Sequence, residues 1–336
     1  MHDAFDALTT LVWLTSRSTP PTAAERETLV KELAKLEAVP HAFDAPGAAQ
    51  EPGAAAVASL FSRYAATTRQ RVDAGEFDTV GHRVRTMSGL CFACHTRERV
   101  PFDFKDAEKR FQSLALSPLE RGRVLAATRQ FDQALAAWAP VLAGPTAELD
   151  YARALEDSLT ILIRVKGDAA ATGALLTQAL ARGDLPAVTR TALEAWRRDV
   201  QAWQAEKFDV AKASSDALLA KAEKLAKQGS DVALLRAAAY ASQALSMRPK
   251  HARRGEALWV LALCAERVRS PLLWDLDLLY LEACVRENPK TPLAKRCVGR
   301  LGERLTLGFT GSAGTNIPPD EQARLDELKA LANGGR

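Results

Sequence analysis

The chain is poor in the residues that build strands and membrane spans. Aromatic side chains make up 6% of it, and Leu, Ala, Arg and Glu take the place of the β-branched residues. A sheet-rich core is excluded by that balance, because straight-chain side chains lose little freedom on a helical backbone and favour it throughout. No run approaches the roughly 20 uninterrupted apolar residues of a membrane helix, so no membrane span is expected. Basic residues never cluster: Arg197-Arg198 and Arg253-Arg254 are too short to follow a phosphate backbone, and no nucleic-acid surface is expected. The opening Met1-His2-Asp3-Ala4-Phe5 has no basic region followed by an apolar stretch, so no secretory signal is visible. Histidines are also scarce, with five in the chain, and they form no triad or paired-carboxylate site. No enzymatic constellation is expected.

What the chain does have is helical punctuation. A first helix is expected over residues 3–16, ended by Pro20-Pro21. Thr22 with Glu25 makes a capping box for a second, which carries Leu29, Leu33 and Leu36 on one stripe and stops near Pro40. A third is expected over residues 54–73, with Val57, Leu60, Phe61 and Tyr64 inward and Gly75 at its end. A fourth starts near Asp78, with Val80, Val84, Met87, Cys91 and His95 at helical spacing and Pro101 as terminator. Four such helices with short loops read as an up-down-up-down bundle.

Beyond Phe111 the pattern becomes paired Ala- and Leu-rich helices. In residues 117–145, Gly122, Ala134, Trp138 and Pro145 fall near the small, small, aromatic and terminating positions of a tetratricopeptide repeat. Gly122 and Ala134 would let two helices approach closely, and Trp138 would fill the gap to the next pair. Met247-Arg248-Pro249-Lys250 and Glu287-Asn288-Pro289-Lys290 echo one another at a hairpin-repeat interval of about 40 residues. The reading is all-α: a four-helix bundle over residues 1–105, then helical-hairpin repeats over 106–336, whose stacked surface would take a protein partner.

One motif carries chemistry. Cys91-Phe92-Ala93-Cys94-His95 is the covalent haem c signature. Two thiols one turn apart can each add across a porphyrin vinyl group, and the adjacent histidine then lies under the iron. In a chain so poor in Cys and His, a chance match is on the order of one in a thousand, and a thioredoxin-like pair would need a βαβ context. Cys91 and Cys94 are expected to be the attachment sites of one haem, with His95 as its proximal iron ligand. Because such attachment takes place in the periplasm, the protein is expected to be exported, by a leader removed or lying before this start.

The segment Gly89-Leu90-Cys91-Phe92-Ala93-Cys94-His95-Thr96-Arg97-Glu98-Arg99 resembles the end of the last helix in the cytochrome c-prime family, with Ala93 and Arg99 at matching positions. The resemblance covers roughly residues 1–105 and departs from the family in a short first helix. It implies a haem at the far end of a four-helix bundle, where an apolar side chain of the first helix leaves the iron open to small gases; in related low-spin bundles a methionine of that helix fills the position. Here Phe5 and Leu8 are the apolar candidates, and Met1, His2 and His41 the distal-ligand candidates. Met1 or His2 would need the helix to extend upstream, and His41 has a solvated loop role as its alternative. Met87 would pack beside the porphyrin. Arg99 would pair with a propionate or stay solvated, and His82 lies too far along the helix.

Weaker signals remain. Cys264, Cys284 and Cys297 lie on apolar helix faces; at most one pair can form among three, and small buried hydrophobes are the expectation. His251, beside Lys250 and Arg253, is expected to be solvated. The Gly-rich stretch 308–319 lacks the Gly-Lys-Ser/Thr ending of a phosphate loop. Electron transfer with a redox partner protein is the expected function. A five-coordinate gas-binding haem protein and a haem-braced assembly scaffold are the alternatives.

Overall fold

The computed structural model describes residues 2–17, 19–39, 54–94, 107–144, 147–248, 251–268, 271–273, 276–312 and 314–334. Among them the chain is all-α, with sixteen helices and a single two-residue ladder pairing Thr310 with Thr315. The first four helices are α1 (His2–Ser16), α2 (Ala23–Ala38), α3 (Ala54–Asp73) and α4 (Val80–Cys94). Then come α5 (Ala107–Ser113), α6 (Pro118–Ala127), α7 (Phe131–Ala143), α8 (Glu148–Thr160), α9 (Ala169–Leu180) and α10 (Ala187–Gln204). The last are α11 (Ser215–Gln228), α12 (Asp231–Met247), α13 (Arg254–Arg267), α14 (Leu276–Glu287), α15 (Pro292–Gly308) and α16 (Pro319–Asn333).

Local chemistry sets the helix starts. At α2 the expected capping box is complete: Thr22 Oγ1 accepts from the Glu25 N–H at 3.3 Å, and Glu25 Oε2 accepts from the Thr22 N–H at 2.7 Å. Ser117 and Glu120 repeat the device at α6, with Pro118 in the first turn. Ser214 caps α11 and Ser230 caps α12, satisfying backbone donors that the helix itself leaves orphaned. Ser214 therefore sets the start of α11 at Ser215.

The first four helices pack in chain order, and α1 also packs on α4. Their contacts run end to start. Arg17, just past α1, pairs with Glu25 of α2 at 2.7 Å. Arg26, at the start of α2, lies 4.8 Å over the ring of Phe77, just past the end of α3, while Ser62 in the middle of α3 donates to the Glu37 carbonyl near the end of α2 at 3.2 Å. Arg83 of α4 donates to Thr68 Oγ1 near the end of α3 at 2.8 Å and stacks on the Tyr64 ring. Gly81, at the start of α4, lies against Thr15 at the end of α1. Each neighbour is therefore antiparallel to the last.

From α6 onward, α7 packs on α6 and α8, α10 on α9, and each of α11 to α15 on the helix that follows it. Contacts two helices apart (α11 with α13, α14 with α16) tie the stack together. The two regions share one buried core: α6 packs on α1 and α4, and α14 on α3 and α4. Within the α6–α7 pair, Trp138 is fully buried across Gly122, with its indole N–H donating to the Leu119 carbonyl at 3.1 Å. The indole thus fills the interior of its own hairpin rather than only a gap to the next pair. The close approach expected at Gly122 is what makes room for it.

Candidate functional site

The antiparallel packing of α1 and α4 sets what lies level with the cysteine motif. Cys91 is ten residues beyond Gly81, and Phe5 is ten residues before Thr15, so both lie about 15 Å from the Gly81–Thr15 contact. By the same register, Met87 is level with Leu8 and Thr9, and Cys94 with His2. Phe5, Leu8 and Met87 are all buried, which brings three of the expected packing residues into one interior around the last two turns of α4. Leu8 and Met87 are apolar throughout. The Thr9 hydroxyl is spent on its own helix, donating to the Phe5 carbonyl at 2.6 Å.

Cys91 is half-buried and its thiol is not in a disulfide. Burial pushes that thiol up to about 12, so it is protonated and unreactive in this packed arrangement. Cys94 is the last residue of α4, and its side chain lies outside the described residues. Met1, His41, His95 and Arg99 also lie outside them, as do the side chains of Val57 and Leu60 and the expected stop at Pro101. His2 is exposed at the start of α1, and His82 is exposed on α4.

The opposite side of α4 is closed. Phe92 is fully buried, edge-on to Phe131 with ring centroids 6.1 Å apart, and the Arg164 guanidinium sits 5.8 Å from the centre of its ring. A turn at Pro271–Leu273 and α6 cover the same helix. Phe5 meets Phe111 edge-on at 5.8 Å. A porphyrin edge held by thioethers needs a free thiol, apolar side chains beside it and a helix end at which the second thiol and the histidine follow. Cys91, Leu8 and Met87 meet the first two needs, and the end of α4 at Cys94 meets the third. Among the described residues no group of three His, Cys, Asp or Glu side chains could hold a metal ion unaided.

Two other expectations change. Cys284 of α14 and Cys297 of α15 are joined in a disulfide, so they are not the separate small hydrophobes expected; the antiparallel α14–α15 pair brings two distant positions face to face. Cys264 does behave as expected, buried, with its thiol pushed up to about 12 by desolvation. His251 is not solvated: it is 5% exposed, accepts the Arg253 N–H at Nδ1 and faces Asp216 Oδ1 from Nε2 at 3.1 Å. Its neighbours in sequence are charged, but the turn between α12 and α13 folds it inward over α11.

What fold and site together define is a helical protein whose cysteine motif ends a helix packed on both sides. Compared with known proteins, the chain matches no family model, no curated protein and no solved structure. Among the described residues, no helix is long and apolar enough to cross a membrane.

Proposed function

We infer that this chain is a monohaem c-type cytochrome of the periplasm. Cys91 and Cys94 would hold the haem, His95 would be the proximal ligand, and electrons would be exchanged with a redox partner protein. The observation that carries this reading is the position of the two cysteines: Cys91 in the last turn of α4 with a thiol outside any disulfide, Cys94 as the last residue of that helix, and the apolar pair Leu8 and Met87 one turn away. When bound, the haem would supply a one-electron couple; the chain's own part is to anchor it at two thiols, exclude water with Leu8 and Met87, and hold the edge of α4 rigid through Phe92 and Phe131. The Cys284–Cys297 disulfide supports an exported protein, because such cross-links persist in oxidising compartments. On this reading residues 1–105 are a c-prime-like four-helix bundle and residues 106–336 a tetratricopeptide-like stack that presents a surface to a protein partner.

Expression in a bacterial host with a c-type maturation system, followed by mass spectrometry and a pyridine haemochrome spectrum, tests the proposal. One haem per chain that survives denaturation, and is lost in Cys91→Ala/Cys94→Ala, is the expected result; a haem-free chain from such a host rejects it. A second reading, a five-coordinate gas-binding haem protein, draws on the first helix: the buried side chains level with the motif are Phe5 and Leu8, and His2 is exposed. Rapid carbon monoxide binding by a high-spin ferrous form favours that reading over electron transfer.

A further inference from the structure

The stack behind α4 contains a cavity of about 540 Å³, of ordinary size for a small-ligand site. Part of its wall is a widened helical segment, Ile161–Lys166, which continues α8 with π-helical bonds and ends at Gly167 in the left-handed region, φ +62°. Four consecutive residues of that segment, 161–164, are buried, because α8, α9 and α12 all pack on it. Arg164 is one of them.

Two buried arginines, each 4% exposed, share this cavity, and their surroundings differ. Arg236 is compensated. It grips Glu206 with both terminal nitrogens, at 3.2 and 2.6 Å, and lies 4.7 Å over the Trp203 ring. Lys166, at the segment's end, pairs with Asp132 at 2.8 Å. Arg164 has no carboxylate among the described residues. Its contacts are a hydrogen bond to the neutral Tyr280 hydroxyl at 3.1 Å and the face of Phe92; its Nε, like that of Arg236, is buried without a partner, so what sets Arg164 apart is the missing carboxylate. Leaving a guanidinium buried and uncompensated costs several kcal/mol as a rule, and a carboxylate matches its fork of donors with two parallel bonds. The cavity adds three aromatic walls, Trp203, Phe208 and Tyr240.

We propose that this cavity binds a small organic carboxylate with a flat apolar body of one or two rings, its carboxylate on Arg164 and its rings against Trp203, Phe208 and Tyr240. Arg164 touches the cysteine motif through the ring of Phe92, but the proposal does not depend on haem. Arg236 and Glu206 fix the position of Trp203 and are positioning residues.

Isothermal titration calorimetry on the full chain tests it, with benzoate and indole-3-acetate as probes, benzamide and indole as neutral counterparts, and inorganic phosphate as a second anion. The expected result is binding of at least one carboxylate, with its neutral counterpart weaker by about tenfold or more and Arg164→Met weaker by about the same factor. Ala239→Trp, which fills the cavity from α12 and leaves Arg164 in place, is expected to abolish binding. It serves as the deciding variant if Arg164→Met does not fold. No heat from either carboxylate at millimolar concentration, unchanged binding in a folded Arg164→Met or Ala239→Trp, or binding of phosphate in preference to both carboxylates would overturn the proposal.

Discussion

Replacing Gly122 by alanine adds one methyl group, and the surroundings decide the sign of its effect. In an open helix the change stabilises by about 0.5–1 kcal/mol, because glycine loses more backbone entropy on folding. At Gly122 the new Cβ would overlap the indole nitrogen of Trp138 and lie 2.6 Å from its Cδ1. The indole is fully buried and tethered to the Leu119 carbonyl, so it cannot swing aside without giving up that bond. Overpacking of this kind costs about 1–3 kcal/mol, and stranding a buried N–H and C=O adds about 1–3 more. Set against the helix gain, Gly122→Ala is expected to destabilise by about 1–5 kcal/mol, the net of these ranges. Gly299→Ala is the matched control, since Gly299 is exposed on α15 with nothing within 4 Å of its added Cβ; it should gain the full helix term. Urea unfolding followed by circular dichroism measures both. A Gly122→Ala variant as stable as Gly299→Ala would refute the close-approach argument, and with it the reason for a glycine in α6.

Two further outcomes follow from cross-links and charges in the stack. Cys284→Ser, or reduction of the native chain, should cost about 3 kcal/mol by the chain-entropy argument for a short loop; a variant whose urea midpoint matches the oxidised protein would count against the cross-link. At Glu206, burial alone would raise the carboxyl, but hydrogen bonds from Arg236 and Lys221 outweigh it and hold it below its ordinary value. The folded form therefore keeps its charge at lower pH than the unfolded chain does. The resulting stabilisation is complete above the ordinary carboxylate range and lost as pH falls through the lowered value. Urea midpoints from pH 6 down to pH 3 should fall more steeply for the wild type than for Glu206→Gln, and parallel curves would show that the carboxylate contributes nothing.

Helix ends written in local chemistry were readable without the structure. The Thr22–Glu25 box and Gly75 after α3 both depend on residues within one turn, and α3 matches its expected bounds. The close approach at Gly122 was readable too, because only a missing side chain allows it. Features made by contacts across the stack were not. His251 looks solvated beside Lys250 and Arg253, yet the turn before α13 folds it onto Asp216. Cys284 and Cys297 read as packing until the α14–α15 hairpin sets them opposite each other. Arg164 sits in the apolar run Ile161-Leu162-Ile163 and looks like the single solvated face of a helix; the π-helical turn and the helices packed on it bury it instead. Of the cysteine motif, the five residues alone carry the proposed chemistry, while its apolar neighbours Leu8 and Met87 depended on assuming antiparallel helices, an assumption the Gly81–Thr15 contact supports.

The Cys284–Cys297 bridge also imposes an order of events on the newly made chain. An environment that oxidises this pair will equally oxidise two thiols one helical turn apart, so Cys91 and Cys94 compete for the same oxidant. Thirteen positions separate Cys284 from Cys297, and their pairing becomes local once α14 and α15 lie together. Packing withdraws both Cys264 and Cys91 from that competition, since burial pushes each thiol up to about 12 once the helices have assembled, so the competition belongs to the unfolded chain. If the proposed haem attachment holds, the maturing protein would keep Cys91 and Cys94 reduced while Cys284 and Cys297 close, and a wrong disulfide between the two pairs is the misfolded species that a shortage of haem would cause to accumulate.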